Sequence, residues 1–511
     1  MSDTCFYVTT PIYYVNDMPH IGHAYTTVAA DVLARYHRLR GEKVFFLTGT
    51  DEHGQKIERA AAERGETPIE LADRVVRRYT EHLLPKLTIT NDDFIRTTED
   101  RHVQVVQKVF ERLRETDDIY FGQYEGWYCV SCENFLVQGD LLDGKKCPDC
   151  TKPVEWVTED TYFFRLSKYQ DGLLKFYEDH PNFPAPPTRR NEMLNRIREG
   201  LRDISVSRTT IEWGVEIPWD TDHKIYVWID ALLNYISAPG FNVDEGQFGS
   251  IWPADVHLIG KDIVWFHAVI WPAVLMALGE ELPKQVFAHG WWQSEEQKMS
   301  KSVGNIVDPV ATVDEYGADP FRYFLLREMP FGADGNYSEN ALIQRTNSEL
   351  GNDLGNLLHR TLNMIEKYRG GIIPASESKD DDMAETRALI HSLKSDIEEG
   401  FVELQFSQML ERIWEVVRAG NRYVEEKKPW KLAKDPDAEA ELSTTLYNLA
   451  ELLRVVSVYI EPFMPTTAAS MRKQLGWEPE TLSFDAVEWG GLSAGKAVSK
   501  GNPLFPRIEK E

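Results

Sequence analysis

The sequence predicts an α/β protein: a doubly wound parallel sheet split by an insertion, followed by an all-α bundle. Three observations carry this reading. Near the N-terminus a strand-like stretch, a helical pattern and a short apolar run follow one another at crossover spacing. Two Cys-x-x-Cys pairs then mark a compact unit that interrupts the pattern. From about Glu349 to Leu475, charged and apolar residues recur at helical spacing.

Taken in order, residues 5–9 alternate like a strand, and Pro11 to Pro19 form a loop rich in turn residues. From about Ile21 to Arg40 the pattern is helical, with Val28, Val32, Leu33 and Tyr36 on an inner stripe and Gly41 as the stop. Val44-Phe45-Phe46-Leu47 is the apolar run of a buried parallel strand. The stretch from about Asp118 to Asp222 holds the cysteines, many aromatics and a Pro181–Pro187 boundary. Lys224–Trp228, Asp255–Gly260 and Lys284–His289 then read as strands resuming one Rossmann-like sheet, with a helix from about Asp262. A short α-rich connector contains Asp308-Pro309 and Gly317–Tyr323. Ser376–Asp382 is a polar break between two helices, and the last twenty residues read as a surface tail.

A chain of 511 residues is too long for one core, so several domains are expected. There is no run of about 18 apolar residues and no signal-like N-terminus, so the expectation is a cytoplasmic protein without a membrane span. The formal charge of −26 argues only weakly against an RNA partner, because polyanion binding needs a local basic face.

Four of the five cysteines form one cluster, Cys129, Cys132, Cys147 and Cys150, with fourteen residues between the pairs. Two disulfides or a redox pair are the alternative. In a cytosolic chain, structural zinc on four thiolates is favoured, since four sulfurs leave no open position. Cys5 is left over and is expected to be a buried strand residue.

Two short motifs carry the chemistry: His20-Ile21-Gly22-His23 and, with 274 residues between, Lys298-Met299-Ser300-Lys301-Ser302. At a helix start, His20 and His23 would lie beside backbone N–H groups and the positive dipole end, which favour polyphosphate. Gly22 leaves room for a flat base. Lys298 and Lys301 in a polar loop are flexible point charges, and Ser300 adds a hydroxyl. Together they read as two halves of an ATP site with Mg2+ accompanying the nucleotide.

These motifs resemble those of the class I aminoacyl-tRNA synthetases. Over essentially its whole length the chain is similar to the bacterial methionyl-tRNA synthetase family, in Pro11–Tyr14, Thr48–Gly54, Tyr226–Ala231, Gly260–His267 and the cysteine knuckle. The resemblance implies that Asp51 pairs with the substrate ammonium. It implies that Ile12, Tyr14, Trp228, Leu232, Tyr235, Ile263 and His267 line the methionine pocket. It makes His20, His23, Lys298 and Lys301 catalytic, with Lys301 the main transition-state cation. An unbranched thioether suits aromatic walls and a small polar contact. Trp228 and Tyr235, seven apart, face one cavity if a helix winds between them. Leu232 departs from the family, where proline can occur.

The resemblance further implies a Rossmann-like catalytic domain in two halves (1–117 and 223–300) around a connective insertion at 118–222. A Lys-motif and stem-contact region would span 301–348, and an anticodon-binding bundle 349–511. In that bundle Asn356 and Arg360 lie one helical turn apart, and Trp430 follows Lys428-Pro429. These residue types suit unpaired bases. The implied partners are tRNA(Met), methionine and ATP, and a monomer is expected. Another class I synthetase is disfavoured because the insertion is short for an editing domain. A non-catalytic zinc-ribbon RNA-binding protein is disfavoured by the intact His and Lys motifs.

Overall fold

The computed structural model describes residues 5–15, 18–136, 138–143, 145–148, 150–294, 297–298, 307–377 and 383–509. They fall into two compact units.

The first unit is built on six parallel strands. Val286–His289, Val256–Gly260, Phe6–Thr9 and Val44–Asp51 are neighbours in that order, and Tyr13–Tyr14 and Asp93–Arg96 both pair with Val44–Asp51. The first strand therefore sits in the middle, and the chain leaves it to build outward on one side and later on the other. In open α/β sheets the ligand crevice lies outside the carboxyl ends of the strands at such a reversal. Helix Ile21–Leu39 starts at that end. Its predicted stripe of Val28, Val32, Leu33 and Tyr36 is buried. Helix Asp100–Glu115 buries Val105, Val106, Val109, Phe110 and Leu113 in the same core as Tyr7 and Leu47.

The insertion has its own antiparallel sheet. Ile119–Cys129 pairs with Glu155–Phe164 along ten residue pairs, flanked by Asn134–Leu136 and Ile204–Ser205. Lys224–Trp228 corrects the sequence reading. Asp220–Ile225 is a strand, but it pairs antiparallel with Ser207–Arg208 and Glu216–Ile217, away from the parallel sheet. Val227–Leu232 is already helix. Cys5 is half-buried, not buried, one residue ahead of its strand.

The second unit is mostly helical. Ala318–Arg327, Asn356–Arg369, Ala384–Val402, Phe406–Lys427 and Glu439–Tyr459 are its longer elements. Phe406–Lys427 buries Leu410, Ile413, Val417, Gly420 and Val424 at spacings of three and four, the stripe of a core-facing helix. Arg322 is fully buried yet satisfied: it donates to the carbonyls of Phe463, Pro462 and Leu87 and pairs with Asp31 at 2.8 Å. The tail is laid on this unit by backbone bonds, Gly495 N–H to Ile373 O and Val498 N–H to Gly371 O. No helix among the described residues is long and apolar enough to cross a membrane.

Candidate active site

The carboxyl edge of the parallel sheet collects one apolar cluster and one acid. Ile12, Tyr14, Trp228 and Ile263 are half-buried against a core that includes Leu232 and Tyr235. The Tyr235 hydroxyl donates to Nε2 of His267 at 2.9 Å, while His267 Nδ1–H donates to Ile263 O at 3.0 Å. That arrangement needs a neutral ring, and burial holds its pKa at about 4. Trp228 stacks on Phe266 at 3.9 Å and 9°, with its indole N–H toward Cys132 O at 3.4 Å.

Asp51 closes the strand Val44–Asp51 and is the register partner of Tyr14. Its Oδ1 is buried and has no hydrogen-bond partner among the described residues. Burial raises the carboxyl well above its ordinary range; the charge of Asp230 adds to this, the backbone N–H of His53 opposes it, and Glu133 and Glu52 add further. His53 serves the carboxyl, but Oδ1 is left as a buried acceptor with no partner among the described residues, which is costly in the empty site. Asp230 itself is held at about 2, because His53 and His102 outweigh its burial; they bond its two oxygens at 2.7 and 2.9 Å. Of the residues named from sequence for methionine, Tyr14 and Asp51 are register partners, Tyr235, His267 and Ile263 are joined by hydrogen bonds, and Ile12, Trp228 and Leu232 belong to the same large core.

His20 and His23 stack at 3.8 Å at the start of helix Ile21–Leu39. Backbone N–H of Gly22 donates to His20 Nδ1 at 3.1 Å, and N–H of His20 donates to His23 Nδ1 at 3.2 Å. Burial lowers the His23 pKa well below its ordinary value, and His20 lowers it further. With Nδ1 accepting, each neutral ring carries its proton on Nε2 and presents a donor suited to phosphate oxygen. A Cβ at Gly22 would lie 3.0 Å from the His20 ring, so a larger residue there would crowd the stack. Tyr13 stacks on Tyr79 at 4.2 Å and 4°, and both rings meet His23 edge-on.

The second motif is only partly described. The backbone of Lys298 lies in a short strand, Gln297–Lys298, antiparallel to Trp292–Ser294, where the sequence reading had a loop. Ser300 and Lys301 lie outside the described residues.

The four knuckle cysteines place their sulfurs within 4.8 Å of one another, with Cys129–Cys150 at 3.5 Å and Cys132–Cys147 at 3.9 Å. Tetrahedral zinc with bonds of about 2.3 Å requires sulfurs about 3.8 Å apart, so the donor set fits. Cys129 is drawn down to about 5, chiefly by its bond from Cys132. In the bundle, Asn356 is exposed at the start of helix Asn356–Arg369. Arg360 pairs with Glu425 at 2.7 Å and lies over the half-buried Trp430 ring at 5.7 Å. The structure brings Arg360 and Trp430 together, and Asn356 is one turn away.

Sequence reasoning missed several residues of the site. His53, Asp230 and His102 form one buried chain, and Arg208 pairs with Glu159 at 2.5 Å while lying over Tyr128. Tyr79 was unmarked because it belongs to a π-helical turn, Arg78–Leu83, that no local pattern announces.

The class that this sheet and its helix-start histidines point to is the class I aminoacyl-tRNA synthetases, and the family match shows it. Residues 6–154 and 142–362 match the family described as class I tRNA synthetases (M), and residues 373–511 match the anticodon binding domain of methionyl tRNA ligase. The chain is 54% identical to the methionine–tRNA ligase of Caldanaerobacter subterraneus subsp. tengcongensis, covering 99% of this chain and 79% of that one. To the methionine–tRNA ligase of Thermotoga maritima it is 46% identical, covering 99% and 80%. Mycobacterium tuberculosis methionyl-tRNA synthetase in complex with methionyl-adenylate superposes with a TM-score of 0.96 at 44% identity, covering 99% and 100%. The chain belongs to the methionyl-tRNA synthetase family, enzymes that ligate methionine to tRNA.

Proposed function

We propose that this enzyme activates methionine with ATP at the crevice described above and passes it to tRNA(Met). Methionine carboxylate attacks the α-phosphate, giving methionyl-adenylate and pyrophosphate; a 3′-terminal ribose hydroxyl of the tRNA then takes the aminoacyl group. The observation that carries this reading is the buried, unpartnered Asp51 Oδ1 beside an aromatic cluster. An ammonium on Asp51 places a linear side chain along Ile12, Tyr14, Trp228, Leu232, Tyr235, Ile263 and His267. Trp228 and Phe266 supply a polarizable wall, and the Tyr235–His267 pair supplies the small polar contact. His20 and His23 donate from Nε2 to the polyphosphate above Gly22, and Lys298, Ser300 and Lys301 would be the nucleotide's further donors, as the motif resemblance implies. Catalysis is then positioning and charge stabilisation, with no covalent enzyme intermediate. Mg2+ would neutralise polyphosphate charge. Zinc on Cys129, Cys132, Cys147 and Cys150 would be structural. A cytoplasmic monomer with the five segments set out above completes the proposal.

ATP–pyrophosphate exchange over a panel of amino acids tests it. Methionine is expected to support exchange best, and a stronger response to valine, isoleucine or leucine would overturn the assignment.

In the bundle, Asn356, Arg360 and Trp430 would read the anticodon. The Arg360 guanidinium over the Trp430 ring makes a composite face on which a splayed base can stack. Losing that stack costs about 1–3 kcal/mol, so Trp430→Ala should reduce tRNA charging by about fivefold to 150-fold. Pyrophosphate exchange should stay near wild type. If both assays fall together, Trp430 is a packing residue.

A further inference from the structure

Glu133 stands between the metal knuckle and the methionine pocket. It follows Cys132 directly, has a φ of 50°, and is only 5% exposed. A carboxylate in that position needs partners, and it has two, one from a distant helix start and one from its own neighbouring strand. Oε1 accepts the backbone N–H of Lys56 at 2.8 Å, and Oε2 accepts the Tyr128 hydroxyl. Its backbone carbonyl accepts the Tyr226 hydroxyl, and the carbonyl of Cys132 faces the Trp228 indole N–H.

Two of these contacts hold the starts of helices that carry the pocket. Helix Gln55–Ala62 begins just after Asp51, and its N-cap is Gly54, which has no side chain to satisfy the first N–H groups. The Glu133 carboxylate takes that place, adding negative charge at the positive helix end. Gly54 has φ +104°, and a Cβ there would meet the Tyr14 hydroxyl at 3.0 Å and Glu133 Oε1 at 3.1 Å. Glu133, Gly54 and Tyr14 are therefore in close contact, three residues from Asp51. Tyr226 is the N-cap of Val227–Leu232, the helix that carries Trp228 and Leu232.

We propose that Glu133 is a positioning residue for the amino-group end of the methionine pocket, through which the four-cysteine knuckle fixes the Asp51–Lys56 turn and the Trp228 helix. This rests on the pocket assignment made above. It gives the knuckle a role in substrate affinity beyond holding its own loop.

The test uses the full chain. Glu133→Ala should raise the KM for methionine by about tenfold to hundredfold while kcat and the KM for ATP stay within about threefold. Glu133→Gln keeps an oxygen for the Lys56 N–H and should recover most of the affinity. Metal content, read by plasma mass spectrometry, should match wild type in both variants. Chelating the metal from wild type should weaken methionine binding in equilibrium dialysis by a similar factor. The same treatment of Glu133→Ala should add little, because the link is already cut. Unchanged methionine affinity in Glu133→Ala would overturn the inference, as would loss of metal from both variants. Full, independent effects of chelation and substitution would overturn it too. Wild type that binds no methionine would instead sink the pocket assignment, and this inference with it.

Discussion

Asp51→Asn is expected to weaken methionine binding by about 3 kcal/mol, a factor of roughly 150, and at the same time to stabilise the ligand-free fold at neutral pH. The two effects have one cause. The Asp51 carboxyl is pushed well above its ordinary range, first by burial and then by the charge of Asp230. An unfolded aspartate titrates near 3.9. Between that value and the raised one, the folded chain keeps a proton that the unfolded chain has lost. Unfolding therefore becomes easier as pH rises through this window, and the loss is complete above the folded pKa. Asparagine carries no charge to desolvate, so it removes the loss. Methionine binding follows the opposite sign. The substrate ammonium pairs with the anion, so wild-type affinity should rise with pH across the same window, while the Asn variant stays flat. Thermal denaturation without ligand and equilibrium dialysis across pH check both halves. A lower thermal midpoint in the variant would show Asp51 to be structural.

The parts of this site that were legible in sequence are local. His20, Gly22 and His23 sit within one helical turn, so their geometry follows once a helix starts at Ile21. Each cysteine pair is likewise short-range, and the repeated Cys-x-x-Cys spacing marked the two pairs whose sulfurs the fold brings together. Lys224–Trp228 was misread because a short apolar, β-branched and aromatic run marks a strand without naming its partner. The strand exists, but its ladder closes on Ser207–Arg208, and the chain turns helical at Val227. Asp230 in that helix is buried by His53 and His102, far off in sequence. Glu133 was illegible for the same reason. A glutamate beside a cluster cysteine reads as a solvated charge until Lys56 and Tyr226, far off in sequence, join nearby Tyr128 around it. Long-range partners, not residue type, decide which acids are buried.

Lys301→Ala is expected to lower the adenylation rate by about two to three orders of magnitude, the loss that follows removal of one preorganised donor. Lys301 itself lies outside the described residues, but the stem that leads to it is defined. Gln297–Lys298 pairs with Trp292–Ser294, which pairs on its other side with Gly335–Tyr337. Trp292 is buried and packs on Phe324 at 5.5 Å. Lys298, the motif's first residue, thus lies in a small three-stranded sheet. Negative charge grows on the α-phosphate and the departing pyrophosphate only as methionine attacks, so an ammonium arriving there acts on the transition state more than on bound ATP. The kinetic signature is a fall in kcat and kcat/KM together, with the KM for methionine unchanged. Lys301→Arg should recover only part of the rate, since a planar guanidinium does not replace a compact charge on a flexible stem. Lys298 offers the internal control. If both lysines grip one polyphosphate, the Lys298→Ala, Lys301→Ala double variant should lose less than the product of the single losses. Pre-steady-state adenylate formation measures each rate directly. A rise in the KM for methionine with unchanged turnover would move Lys301 out of the transition state and into ground-state binding.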